Sequence, residues 1–224
     1  MRLFFDMEFT GLRKNTTPIS IGIVSEDGKT FYAEFTDYDE GQCNDWIKEN
    51  VICNLHLKHI PWHSQCLEYI EKLKKDEYVV SKNPHIPRAN ALLEYDYFKR
   101  DEKGNMSALG DSCWIGIALS EWIQQFDIIQ FVSDVCHYDF VLLIDLLTNG
   151  GTALDLPENI SAVCHDINQD IAAYFEVSDR EAFDMNREEI LERLKGYHVV
   201  GEKHNSMYDA EIIKEIYEEI GYDI

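Results

Sequence analysis

Two hydrophobic periods run along this chain. Arg2 to Phe9 is rich in apolar residues, alternates poorly and predicts a short buried strand. Pro18 to Val24 is a second β-rich run, and Thr30 to Phe35 a third, with the turn Glu26-Asp27-Gly28-Lys29 between them. The three predict an antiparallel meander joined by a hairpin. Trp46 to Leu55 and Ser64 to Lys75 carry helical spacing. After residue 113 the pattern becomes regular. A helix is predicted over Ile115 to Phe126, a strand over Ile128 to Ser133, and a helix over Tyr138 to Leu147 that stops before Gly150-Gly151. A strand follows over Ile160 to Cys164, then helices over about Asp166 to Phe175, Arg187 to Leu194 and Ser206 to Ile220.

Meander strands followed by strand–helix alternation predict an α/β fold, a mixed sheet covered by helices. Residues 77 to 113 fit neither period. They contain Pro84, Pro87 and the polar run Lys99 to Asn105, and predict an insertion or a long functional loop. The 224 residues are otherwise expected to form a single domain, 1–224.

Composition narrows the class. Hydrophobic residues make up 45% of the chain, enough for a sizeable core, and the 28% charged fraction is not that of a disordered segment. No apolar run approaches the ~20 residues of a membrane helix. Asp6 cuts short the opening apolar run, which argues against a secretory leader. The six cysteines form no C-x-x-C pair and read as reduced thiols. A cytoplasmic protein without membrane contact is therefore expected. The net charge of −22 argues against coating long nucleic acid, since that normally uses a basic surface. It does not argue against a small site that holds divalent cations, because carboxylates are what Mg²⁺ or Mn²⁺ requires.

Three acidic pieces stand out. Asp6 and Glu8, two apart on a strand, project side by side. Two carboxylates this close repel unless something positive lies between them, although a strand-end pair reaching solvent would look the same. Asp139 falls in the first turn of a helix that follows a strand, where ligands gather in open α/β sheets. It would also serve as an acid complementing the helix dipole, and Asp134 is its rival. Asp209 lies early in the last predicted helix, with Ile212, Ile213, Ile216 and Ile220 on its buried face. His204, in the loop before that helix, can swing its imidazole over a metal held by Asp209, or can be a plain surface residue.

These residues resemble the DEDD-type 3′–5′ exonucleases, which have a ribonuclease-H-like fold. The first motif of that family is similar to Asp6-Met7-Glu8-Phe9-Thr10-Gly11-Leu12, and Glu8 to Leu12 resembles oligoribonuclease in particular. Asp139 matches the second motif. His204 to Asp209 matches the histidine form of the third, H-x4-D, and Asn205 stands where the tyrosine form would need its tyrosine. The run Phe5 to Phe9, the run Ile19 to Gly28 and Tyr138-Asp139 before an apolar helix resemble the ribonuclease AS-like branch of small exoribonucleases.

The resemblance implies a single-stranded RNA (or DNA) 3′ end as substrate and nucleoside 5′-monophosphates as products. It implies two divalent cations, Mg²⁺ or Mn²⁺, and commonly a homodimer. Asp6, Glu8 and Asp209 would hold the tighter ion, Asp6 with Asp139 the second, and His204 would be the general base. Met7, Phe9, Thr10, Gly11 and Leu12 would meet the terminal nucleotide, with Tyr138 and Phe140 available to stack on bases or simply to fill the core. A DNA-directed exonuclease of the same fold, an inactive nucleic-acid-binding module and an unrelated carboxylate metal protein are the competing readings. His56, His59 and His63 are interrupted by Pro61 and lack a completing acid, and Cys136-His137 and Cys164-His165 lack an orienting partner. Asp166 and Asp170 read as helix-start acids.

Overall fold

The structure is a computed structural model that describes residues 1–57, 98–196 and 200–221. Three strands open the chain: β1 (Arg2–Phe9), β2 (Pro18–Ser25) and β3 (Thr30–Phe35). They pair antiparallel in sequence order, as a meander should. On one side the sheet continues through β4 (Phe98–Arg100) and β5 (Met106–Gly110), with β5 parallel to β3 and β4 on the edge. On the other side β6 (Gln130–Ser133) runs parallel to β1, and the two-residue β7 (His165–Asp166) runs parallel to β6. The order is β4-β5-β3-β2-β1-β6-β7. A three-strand antiparallel meander extended by parallel strands and covered by helices is the mixed α/β sheet expected from the sequence.

Helices cover both faces because β1 is apolar on both. Leu3, Phe5 and Met7 point into a core shared with α2 (Ser112–Ile123) and α3 (His137–Thr148). Phe4 points the other way, into a core built with α4 (Ile167–Tyr174), α5 (Asp179–Asp184), α6 (Arg187–Lys195) and α7 (Ser206–Ile220). Asp6 and Glu8 continue the Phe4 face, so strand alternation alone aims both carboxylates at the α7 side. A satellite cluster of Ile19, Cys43, Ile47, Val51 and Leu55 seats α1 (Asp45–Asn50) beside β2.

Helix α7 is placed by its sequence at both levels. Ile212, Ile213, Ile216 and Ile220 recur at helical spacing and are buried. Asn205 caps the first turn by accepting the N–H groups of Met207 and Tyr208. The helix start lies directly on β2 at Gly22. A Cβ there would come within 2.3 Å of the Ser206 carbonyl oxygen and 2.4 Å of the Met207 nitrogen. Gly22 pairs with Asp6 in the β1–β2 register, so this close approach brings the α7 start next to Asp6.

Several elements differ from the sequence reading. The helix expected over Trp46 to Leu55 ends at Asn50 and resumes as a 3₁₀ turn over Ile52–Asn54. The side-chain amides of Asn50 and Asn54 take the carbonyls of Trp46 and Asn50, at 2.9 and 2.7 Å, and compete with the helical ladder there. The strand expected over Ile160 to Cys164 is a single bridge between Ile129 and Ile160, and pairing resumes only at His165. Within the unreadable stretch 77–113, β4 and β5 join the sheet and α2 begins at Ser112, capped by Asp111. The expected helix Ser64 to Lys75, and with it His59, His63 and Cys66, lies outside the described residues. Among the described residues Cys43, Cys136 and Cys164 are free thiols, and no helix is long and apolar enough to cross a membrane.

Candidate active site

The five residues singled out above come from three distant stretches and meet at one end of the sheet. β1 pairs with β2 along one edge, but with β6 only from Arg2 to Phe4. Beyond that point the free edge of β1 faces the start of α3. The Met7 N–H there donates to Asp139 Oδ1 at 3.0 Å, a bond that fixes a carboxylate only 8% exposed. The turn feeding α3 is tight: Val135 adopts φ 51, and its N–H donates to Asp166 Oδ1 at 3.0 Å.

On the other side, His204 sits just before α7 with φ 63, and its N–H donates to Asp209 Oδ2 at 2.9 Å. Its Nδ1 lies 3.7 Å from Glu8 Oε1. Glu8, His204 and Asp209 each offer one ligand atom, and these atoms all lie within 4.8 Å of one another. Trp46 of α1 meets the imidazole edge-on, with ring centroids 4.9 Å apart.

Burial and crowding shape the charges. Asp6 is pushed well above the usual carboxylate range, first by desolvation, then by Asp209, Asp139, Glu8 and Asp134. Asp139 is pushed up to about 7, chiefly by burial. Asp209 is pushed up to about 7 by burial, then by Glu8. His204 moves up as well, because Glu8 beside it favours the imidazolium. Hard oxygen donors crowded until they resist ionising together are a donor set that fits divalent cations such as Mg²⁺ and Mn²⁺.

Asp134, the rival of Asp139, is committed elsewhere. Arg187 holds it through two bonds, Nε to Oδ2 at 2.6 Å and Nη2 to Oδ1 at 2.8 Å. The same guanidinium reaches the carbonyls of Ala182 and Met185 and the side chain of Asn168. It thereby ties α4, α5 and α6 to the end of β6. Asp134 and Arg187 both border a cleft of about 290 Å³. Asp6, Glu8, His204 and Asp209 line the same cleft, together with Phe183, Met185, Asn186, Glu188 and Lys203.

The expected substrate residues fall into different environments. Leu12 is 77% exposed, at the tip of the β1–β2 loop. Gly11, before it, adopts φ 142. Thr10 is fully buried, and its hydroxyl bonds Thr16, Thr17 and Gln42. Met7 is buried, while Phe9 and Tyr138 are half-buried and face each other at 5.7 Å. Phe140 is half-buried and packs against the core. Asp166 caps α4 and Asp170 lies in its first turn, both as expected of helix-start acids, and Asp170 also pairs with His165 at 2.5 Å.

Two contributors were invisible in the sequence. Trp46 touches His204 from a helix far away in the chain, which no local pattern announces. The cleft wall of Phe183, Met185 and Arg187 belongs to the end of α5, the residue that caps it and the start of α6. The Ser178-x-x-Glu181 capping box was the available signal for α5.

No family model matches the chain. Two curated proteins of Mycobacterium tuberculosis, from strains CDC 1551 / Oshkosh and H37Rv, are each described as a 3′–5′ exoribonuclease. Each is 38% identical to this chain over 55 residues, a quarter of this chain (25%) and 33% of its own length. The match thus spans about a third of the length of these relatives. Among solved structures, the Mg²⁺- and Mn²⁺-bound form of S. pombe Pop2p aligns with 99% of this chain and 83% of its own, at 15% identity and a TM-score of 0.49. By sequence, a segment of this chain resembles proteins described as 3′–5′ exoribonucleases.

Proposed function

We propose that this chain is a metal-dependent 3′–5′ exoribonuclease that shortens single-stranded RNA from its 3′ end, releasing nucleoside 5′-monophosphates. The observation that carries this reading is the convergence of Asp6, Glu8, Asp209 and His204 on one cleft, with Asp139 anchored beside them on the Met7 N–H. The 55-residue likeness to proteins described as 3′–5′ exoribonucleases supports the same reading.

Asp6, Glu8 and Asp209 would hold one divalent cation, and Asp6 with Asp139 a second. When bound, such a pair supplies an activated water and neutralises charge on the leaving oxygen. His204 takes the proton of the attacking water. Its side chain is held for that task by Glu8 on one side and by the edge contact with Trp46 on the other. Leu12, exposed at the loop tip, would meet the terminal base. A single domain over 1–224 and a homodimer in solution belong to the same proposal, the latter checked by light scattering.

The test is product analysis. Purified protein with Mn²⁺ and a 5′-labelled single strand ending in a 3′-hydroxyl should give a descending ladder of labelled products and unlabelled 5′-monophosphates. RNA should be degraded faster than DNA of the same sequence. Internal cuts, or no cuts at all, would remove the assignment.

A further inference from the structure

His204 occupies the left-handed backbone region, with φ 63, where side chains other than glycine are rarely found. Residues persist there when their surroundings over-determine them, commonly at functional sites. The surroundings here are specific. Asn54, at the end of the 3₁₀ turn after α1, grips both neighbours of His204. Its Nδ2 donates to the Lys203 carbonyl at 2.9 Å and to the Asn50 carbonyl at 2.7 Å. Its own backbone carbonyl accepts from Asn205 Nδ2 at 2.8 Å.

Asn205 is 1% exposed, and its side-chain oxygen caps α7. Its amide also approaches the Tyr32 hydroxyl at 3.5 Å. That hydroxyl donates to the buried Glu34 carboxylate at 2.8 Å, and the same Glu34 oxygen accepts the Leu57 N–H at 2.6 Å. The segment carrying Asn54 is therefore pinned at both ends. Ile47, Val51 and Leu55 seat it on Ile19 at one end, and Glu34 holds Leu57 at the other.

We propose that Asn54 is a positioning residue for His204: its side-chain amide holds the Lys203 carbonyl on one side of the imidazole, beside the Asn205 side chain that its own carbonyl holds on the other, so that His204 faces Glu8 and the cleft. This rests on the general-base reading of His204 given above. A misplacement of about 1 Å at a reacting group costs on the order of 100-fold in rate, so a lost clasp should be visible in turnover.

The test uses the full chain with Mn²⁺ and a labelled RNA. Asn54→Asp keeps the shape but removes the amide donor, and Asn54→Ala removes the side chain without adding charge. Both should lower kcat by about 10- to 100-fold, while KM and Mn²⁺ affinity measured by calorimetry stay at wild-type values. Thermal melts establish that the variants fold. His204→Ala should cost about 10²–10⁴-fold and leave a residual rate measurable at high enzyme concentration. Adding Asn54→Asp to that background should cost nothing further, because the two residues act as one unit. Wild-type kcat in both folded Asn54 variants would overturn the proposal. So would an undiminished loss when Asn54→Asp is added to His204→Ala. Full activity of His204→Ala alone would instead remove the general-base reading beneath it.

Discussion

At the residue scale the site is a problem of charge. Asp6, Asp139 and Asp209 are held where ionisation is disfavoured, and all three carboxyls shift upward mainly because they are buried. The folded protein therefore binds protons more tightly than the unfolded chain at these positions. Their contribution to stability is fully present below the unfolded carboxylate range near ~4 and is lost as pH rises through the raised folded values, two of them about 7. Asp6→Asn removes one charge from the cluster. With chelator present, it should melt higher than wild type, and by more at pH 8 than at pH 5, by ~2–4 °C for each kcal/mol relieved. The same variant should lose activity. An equal melting difference at both pH values would contradict the account. The i, i+2 spacing made Asp6 and Glu8 legible as a pair from sequence. The choice between Asp139 and Asp134 was not legible, because both follow β6. It depends on where β1 stops pairing with β6 and on Arg187, far along the chain, taking Asp134.

At the element scale the meander strands and the periodic helices were readable, and β4, β5, α5 and β7 were not. The helix expected over Ser206 to Ile220 is α7 as found, since an apolar stripe and an Asn cap agree there. Strand β7 slipped, because its two residues are too few to carry a period and the apolar run before it only touches Ile129. β4 and β5 were hidden in a stretch whose polar turn resembled a loop. Asp101 folds that turn back by accepting the N–H groups of Lys103 and Asn105. The element that decides the site is the seat of α7 on β2. Gly22→Ala would force Cβ into the Ser206 and Met207 backbone. Overpacking of this kind costs about 1–3 kcal/mol. Chemical denaturation should show that loss, and Mn²⁺ affinity should fall with it as His204 and Asp209 move away from Asp6. Unchanged stability and affinity would show that the close approach does not set the site.

At the scale of the whole molecule, the net charge of −22 sets the terms for substrate. Phosphate binding by a basic surface would weaken steeply with salt, and this chain has no such surplus of cations to offer. The cleft instead collects Asp6, Glu8 and Asp209, with Asp139 beside them, so on the proposed function an RNA phosphate would approach only once bound cations reverse the local sign. On the same proposed function the carboxylate cluster is a metal centre, with His204 as the base beside it. The most direct measurement is the initial rate of mononucleotide release from a 3′-hydroxyl RNA, for wild type and His204→Ala, with added Mn²⁺ and after chelation. Wild type should be active only with the metal, and His204→Ala should fall by about 10²–10⁴-fold at unchanged Mn²⁺ affinity. Release that survives chelation, or wild-type rates in His204→Ala, would contradict it.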